Sequence, residues 1–166
     1  MPQRIIDTHV HTDNSPDGHH SAMYMCERAE MAGLRAIAFT DHVEADAYRR
    51  DHYDRVALQS FIDVTKARSA FCGKLLVCAG VELGQPMYDV KTAEEILSNL
   101  PYDMVIGSVH NFKNEQDFMY LDYSQWDITD LLNRYFDELI KLSRWAKFDT
   151  LAHMLSLIHI SEPTRR

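Results

Sequence analysis

Short apolar runs and amphipathic stretches alternate along the chain, and the alternation predicts a β-α-β-α-β-α-β-α-β order. Apolar runs of strand length, bounded by polar or turn residues, predict buried strands. They lie at residues 5–8, 35–39, 74–80, 104–106 and 148–152. Such alternation is typical of an α/β fold with a parallel sheet, either open or closed into a barrel.

The stretches between these runs carry helix signals. Ser21 can cap a helix that ends at Gly33, an amphipathic stretch spans about 54–71, and a capping box at Thr92 opens a third helix. The clearest helix begins at Asp127. Its apolar positions follow helical spacing: Ile128, Leu131, Leu132, Tyr135, Phe136, Leu139 and Ile140. We expect a polar loop after residue 42 and a longer one over 111–126.

Composition narrows the class of protein. With 46% hydrophobic and 25% charged residues the chain is typical of a globular protein. No run approaches the roughly 18 apolar residues of a membrane helix, and the absence of a signal peptide predicts a cytoplasmic protein without a membrane partner. A formal charge of −8 without a basic patch argues against a nucleic-acid partner. The 166 residues are also too few for a complete βα barrel of about 200–250 residues.

A potential metal ligand follows each of the five predicted strands. These residues are Asp7, His9 and His11, then Asp41 and His42, then Glu82, His110 and His153. In parallel α/β folds the active site lies at the carboxyl ends of the strands, so the side chains are expected to converge. His9 and His11 are two apart and point to the same face of a strand, which lets both bind one ion. Imidazoles with carboxylates suit Zn, Mn or Fe.

These residues occur in motifs that resemble the polymerase and histidinol phosphatase (PHP) superfamily, and within it the histidinol-phosphatase type. The motifs are Asp7-Thr8-His9-Val10-His11, Thr40-Asp41-His42, Gly80-Val81-Glu82, Gly107-Ser108-Val109-His110 and Leu151-Ala152-His153. The resemblance covers roughly residues 4–154. It implies a distorted seven-stranded βα barrel, of which this chain would form about five βα units, with a trinuclear metal site.

The resemblance also implies a role for each ligand. His9 and His11 would bind a first ion, and Glu82 would bridge it to a second. His110 and His153 would bind the second ion, and Asp17 with His42 would bind the third. Asp7 and Asp41 are expected to orient histidine rings or neighbouring residues instead of binding metal. Three divalent ions, Zn, Mn or Fe, are therefore expected.

The resemblance implies a metal-dependent phosphomonoesterase that hydrolyses L-histidinol phosphate in histidine biosynthesis, through water activated by the ions that Glu82 and His110 bind. Three alternatives stay open. The chain could belong to a PHP phosphoesterase with another phosphomonoester or a nucleic-acid phosphodiester as substrate, or to a non-catalytic metal-binding module. An amidohydrolase barrel is the weakest alternative, because it usually has a bridging lysine after the fourth strand. The oligomeric state is not predicted.

The sequence departs from the family near its end. An Asp-x-His pair, the phosphate-binding arginines and a general acid are missing, and residues 155–166 resemble a translated sequencing adapter. We therefore divide the chain into a truncated PHP domain over 1–154 and a non-native tail over 155–166.

We expect this 166-residue polypeptide to be poorly soluble and to show little or no activity, because the site would lack ligands and the last strand would leave an open sheet edge. Size-exclusion chromatography and a phosphate-release assay test this expectation. A monodisperse chain with normal turnover would contradict it.

Overall fold

The computed structural model describes residues 5–155, in which six strands alternate with four α-helices. The strands are β1 (Ile6–Val10), β2 (Ala36–Phe39), β3 (His42–Glu44), β4 (Leu76–Gly84), β5 (Met104–Ser108) and β6 (Thr150–Leu151). The helices are α1 (Ala22–Met31), α2 (Tyr53–Ala70), α3 (Val90–Asn99) and α4 (Ile128–Trp145). The predicted α/β class is confirmed.

All strand pairs in the sheet are parallel, and the strand order is β1-β2-β4-β5-β6, with β3 also paired to β4. The strands form a half-barrel, in agreement with the predicted incomplete PHP barrel. β2 and β3 pair with the same strand in one continuous register: Phe39 lies opposite Ala79 and His42 opposite Glu82. The two residues between β2 and β3 therefore interrupt the strand without shifting its alignment.

The helices bury one face each against the sheet. In α4 the apolar stripe places Leu131, Tyr135 and Leu142 in the core, where they pack with Phe112 and Phe118 from the loop after β5. Burial of such side chains contributes about 1.5–3 kcal/mol each. Phe136 and Ile140, which the apolar pattern placed in the same stripe, are 38% and 48% exposed. Within residues 5–155 no helix combines the length and apolarity needed to cross a bilayer.

Two local predictions are wrong. The segment after residue 42, expected to be a polar loop, begins inside β3, because Val43 alternates with two polar residues and buries its side chain in the core. The third helix is capped by Asp89, whose carboxylate accepts a hydrogen bond from the Thr92 backbone N–H at 3.0 Å. Asp89 satisfies a backbone donor of the first turn, so Thr92 lies inside the helix.

The first strand also differs from the prediction. Ile5 and Ile6 are 48% and 58% exposed, because β1 lies at the edge of the sheet and has no neighbour on its outer side within the described residues. The strand continues beyond the predicted end to Val10. The predicted non-native tail falls almost entirely on residues 156–166, which lie outside the described residues, and its boundary at 154/155 stays a prediction.

Candidate metal centre

The register of the sheet brings the predicted ligands to one edge. His42 is the direct partner of Glu82 in the β3–β4 pair. His110 follows the end of β5, and His153 follows β6. His9 lies in β1, next to β2. Because all of these strands run in parallel, their carboxyl ends meet on one side of the half-barrel.

Five imidazole rings surround the carboxylate of Glu82. They belong to His9, His11, His42, His110 and His153. The Glu82 side chain has no solvent exposure. Its Oε1 atom lies 3.0 Å from Nε2 of His110 and 2.9 Å from Nε2 of His153, both within hydrogen-bond distance.

The second carboxylate oxygen of Glu82, Oε2, has close neighbours, but none of the described residues forms a hydrogen bond with it. Oε2 lies 3.1 Å from Nε2 of His11, 3.2 Å from Nδ1 of His42 and 3.7 Å from Nε2 of His9. Three of these buried atoms, Oε2 of Glu82, Nε2 of His11 and Nδ1 of His42, have no hydrogen-bond partner within residues 5–155. Buried polar atoms are nearly always paired in native proteins, so these three identify the point where a cation would bind.

Burial and hydrogen bonding act in opposite directions on the acidity of Glu82. Burial by itself would raise the pKa of this carboxyl, but the close imidazoles of His11, His110 and His153 outweigh it and hold the pKa far below its ordinary value. Burial would likewise lower the pKa of His110, but the carboxylates of Glu44 and Glu82 raise it well above the usual imidazole value. The centre is thus built around a permanent negative charge.

Asp17 lies at the exposed rim of this cluster. Its carboxylate oxygens are 2.9 and 3.0 Å from Nδ1 of His11, and one of them is 3.6 Å from Nε2 of His42. The structure therefore brings Asp17 and His42 together, as expected for a shared ion. Asp17 also bonds the ring of His11, so the same carboxylate can orient this ligand.

The structure places the two predicted orienting residues, Asp7 and Asp41, differently from expectation. The Asp7 carboxylate accepts a long 3.4 Å hydrogen bond from the His9 backbone N–H, whereas the His9 ring is held by Thr40, whose Oγ1 lies 2.8 Å from Nδ1. The only hydrogen bond found for the Asp7 carboxylate within the described residues is thus to backbone. Sequence reasoning overlooked Thr40, which precedes the Asp-His pair.

The carboxylate of Asp41 stabilises a loop and contacts no imidazole within the described part of the chain. It accepts from the Thr12 backbone N–H at 2.6 Å, from the Thr12 hydroxyl at 2.8 Å and from the Ser15 hydroxyl at 2.8 Å. Ser60 of α2 also donates to it. Ser15 in turn accepts from the His42 backbone N–H at 3.0 Å. Asp41 therefore positions the loop that carries Asp17 and orients its neighbour only indirectly.

Glu44 was not predicted as a site residue. Its Oε1 atom lies 2.8 Å from Nδ1 of His110 and 3.4 Å from Nδ1 of His42. The signal was present in the sequence, because Glu44 is two residues after His42 and alternation in a strand puts both on one face. Because a loop was predicted after residue 42, this alternation was not applied to Glu44.

The donor atoms are suited to divalent ions. Three groups place their donor atoms within 4.8 Å of one another: His9 with Glu82 and His153, His11 with His42 and Glu82, and His42 with Glu44 and His110. Neutral imidazoles and carboxylates bind Zn, Mn and Fe alike. The groups pair His9 with His153, whereas the sequence paired His9 with His11, and the assignment of ligands to individual ions stays a prediction.

A cavity of about 920 Å³ opens onto this cluster. His9, His11, His42, Glu82, His110 and His153 all line it. Its walls come from the segment after β3, with Arg50 and the first residue of α2, Tyr53, and from the long loop after β5, with Lys113 and Tyr120. A volume of this size accommodates a small molecule above the candidate ligands.

A family model of the PHP domain matches residues 7–164, which is nearly the whole chain. The chain belongs to the PHP family. The match includes every candidate ligand described above, and it confirms the family predicted from the motifs.

Two known proteins are similar to this chain. A Deinococcus radiodurans protein named "Probable histidinol-phosphatase" is 26% identical in a 162-residue alignment that covers 90% of this chain and 60% of that protein. The crystal structure of histidinol phosphate phosphatase from Lactococcus lactis, complexed with Zn, L-histidinol and phosphate, is 18% identical with a TM-score of 0.74. It aligns with 93% of this chain and 59% of its own. The chain thus spans about three fifths of the length of both relatives.

Replacing Asp41 by Asn is expected to destabilise the PHP domain by on the order of 2 kcal/mol, because the amide nitrogen cannot accept the hydrogen bonds that one carboxylate oxygen now accepts. Urea unfolding at constant m-value measures the change. Asp137→Asn, at an exposed position on α4, is the matched control and should change stability by less than about 0.5 kcal/mol. Equal stability of the two variants would contradict the role given to Asp41.

Replacing Glu82 by Gln is expected to weaken divalent-metal binding by more than about 100-fold, which exceeds the usual effect of losing an outer-shell partner. Equilibrium dialysis against Zn²⁺ or Mn²⁺ followed by elemental analysis measures the effect. Glu115→Gln, on the exposed wall of the same cavity, is the control and should retain the wild-type metal content. Retention of metal by both variants would show that Glu82 is not a ligand.

Proposed function

We propose that the protein to which this chain belongs is a metal-dependent phosphomonoesterase that hydrolyses L-histidinol phosphate to L-histidinol and phosphate, a step of histidine biosynthesis. One observation carries the proposal: a fully buried carboxylate, Glu82, is surrounded by five imidazoles at the base of a cavity large enough for a small substrate. The names of the two relatives support the choice of substrate.

The residues that would bind the metal ions are His9, His11, Asp17, His42, Glu82, His110 and His153. The number of ions is proposed to be three, and the zinc bound by the Lactococcus lactis protein favours zinc over manganese or iron. When bound, divalent ions supply Lewis-acid chemistry, because they acidify water and stabilise negative charge on phosphoryl oxygens.

The chain's own residues prepare the site for these ions. Thr40 and Asp17 contact Nδ1 of His9 and His11, which leaves Nε2 of each ring directed at Glu82. Asp41 stabilises the loop over 12–17, so that Asp17 stays beside His42. These contacts set the ring orientations before an ion binds, and such preorganisation is what electrostatic catalysis requires.

The cavity walls favour a small substrate with positive charge in its leaving group. Two basic side chains, Arg50 and Lys113, line the cavity together with eight carboxylates. Five of these carboxylates lie outside the cluster around Glu82 and its rim: Asp46, Asp51, Asp89, Glu115 and Asp117. L-Histidinol carries an amine, which these groups would attract, whereas a nucleic-acid backbone would be repelled. Phosphate release from a panel of phosphomonoesters, with single-stranded DNA hydrolysis in parallel, tests the choice. The highest kcat/KM on L-histidinol phosphate would support the proposal, and nuclease activity alone would overturn it.

His110→Ala in the full-length protein is expected to abolish turnover and to reduce the metal content, because the imidazole contacts Glu82 and contributes a nitrogen donor to the centre. Steady-state phosphate release and elemental analysis measure the two effects. His20→Ala, at an exposed position outside the cluster, serves as the control and should behave like wild type. Normal kinetics in His110→Ala would contradict the assignment.

A further inference from the structure

Glu44 differs from Glu82 in that both of its carboxylate oxygens have partners. Oε1 lies 2.8 Å from Nδ1 of His110. Oε2 accepts a hydrogen bond from the side-chain amide of Gln85 when the nitrogen of this amide faces the carboxylate. Oε2 of Glu82, by contrast, is buried and has no hydrogen-bond partner in the part of the chain that the structure describes. A satisfied carboxylate has less to gain from a metal ion than an unsatisfied one.

The hydrogen-bond partners of the amide nitrogen and oxygen determine the orientation of the Gln85 side chain. With its nitrogen facing Glu44, its oxygen accepts from the backbone N–H groups of His110 at 2.6 Å and Asn111 at 2.9 Å. The reverse orientation would place an oxygen against a carboxylate and hydrogen atoms against N–H donors. Gln85 is 2% exposed and has a left-handed backbone with φ of 49°. A buried non-glycine residue keeps this uncommon conformation only where its surroundings determine it.

Gly84 provides the space that the Glu44 carboxylate occupies. The two residues are direct partners in the β3–β4 pair. A Cβ atom built on Gly84 would overlap the Glu44 carboxylate. At the end of β4, Gly84 therefore leaves room for the Glu44 carboxylate, and Gln85 holds it through a hydrogen bond.

The His110 ring lies between the two glutamates. Its Nε2 faces Oε1 of Glu82 at 3.0 Å, and its Nδ1 faces Glu44. His110 can therefore offer Nε2 to an ion beside Glu82 while Nδ1 donates its proton to Glu44. Histidine ligands commonly donate their other ring N–H to a carboxylate, which fixes the tautomer and raises the basicity of the ligating nitrogen.

We propose that Glu44, fixed by Gln85 and Gly84, is a positioning residue that accepts the Nδ1 proton of His110 and thereby holds Nε2 toward the metal centre. This inference rests on the metal centre of the proposed function but not on the substrate. It assigns to Glu44 a role other than that of a direct ligand, although its donor atom lies near those of His42 and His110.

The first test uses the wild-type, zinc-loaded, full-length protein with ¹⁵N-labelled histidine. Long-range ¹H–¹⁵N NMR is expected to show His110 protonated at Nδ1, with a slowly exchanging, downfield proton. An unprotonated Nδ1 would overturn the proposal whether or not any variant folds.

The second test compares zinc affinity and zinc stoichiometry in Glu44→Gln, an isosteric change, and in Glu27→Gln, an exposed control on α1. Glu44→Gln is expected to bind the same number of ions about 10–100-fold more weakly and to lose the downfield proton. Gln85→Leu should shift both readouts in the same direction. Loss of one whole equivalent of zinc would make Glu44 a ligand and overturn the proposal, as would unchanged affinity and an unchanged resonance.

The outcomes stay separate from those of the proposed function, since neither measurement requires substrate. A protein that binds zinc with a Glu44-dependent affinity but does not hydrolyse L-histidinol phosphate would contradict only the substrate. A protein with the expected phosphatase activity and a Glu44-independent affinity would contradict only the positioning role.

Discussion

The Glu82 side chain is excluded from solvent, and a carboxylate in that position requires positive charge around it. Transfer of an unpaired carboxylate into a protein interior costs several kcal/mol even after the surroundings relax. Five imidazoles supply partial compensation, but three buried donor and acceptor atoms, on Glu82, His11 and His42, have no hydrogen bonds to any of the described residues. The surrounding strands and loops place the imidazoles that partly compensate this buried negative charge.

The sheet register and the loops meet this requirement together. The unchanged register of β2 and β3 against β4 places His42 beside Glu82 in spite of the break between the two strands. At that break, the buried carboxylate of Asp41 binds the loop that carries Asp17. The backbone carbonyl of Asp41 also accepts from the Glu82 N–H at 3.1 Å. One residue thus connects the loop, the strand break and the central strand.

The motifs indicated which residues gather at the site better than they indicated which residue contacts each histidine ring. The donors after each strand were visible in the sequence, because a ligand type following an apolar run is a local pattern. The partner of each ring was not visible in the sequence, because Thr40 and His9 are 31 positions apart and Glu44 and His110 are 66 positions apart. Asp41 shows the same limit: its position beside His42 predicted that it orients its neighbour, whereas its direct partners are the Thr12 backbone N–H and hydroxyls of a distant loop and helix.

The sequence by itself determined the α/β alternation, the family and the donors that gather at the strand ends, because these follow from hydrophobic periodicity and from residues next to one another in the chain. The tertiary structure decided which carboxylate has a buried oxygen without a hydrogen-bond partner among the described residues, and which has partners for both oxygens. Glu82 and Glu44 both end in the same functional group, and both lie in strands beside histidines. Only the packing of Gln85 and Gly84 around Glu44, and of five rings around Glu82, separates an orienting carboxylate from one suited to bind an ion.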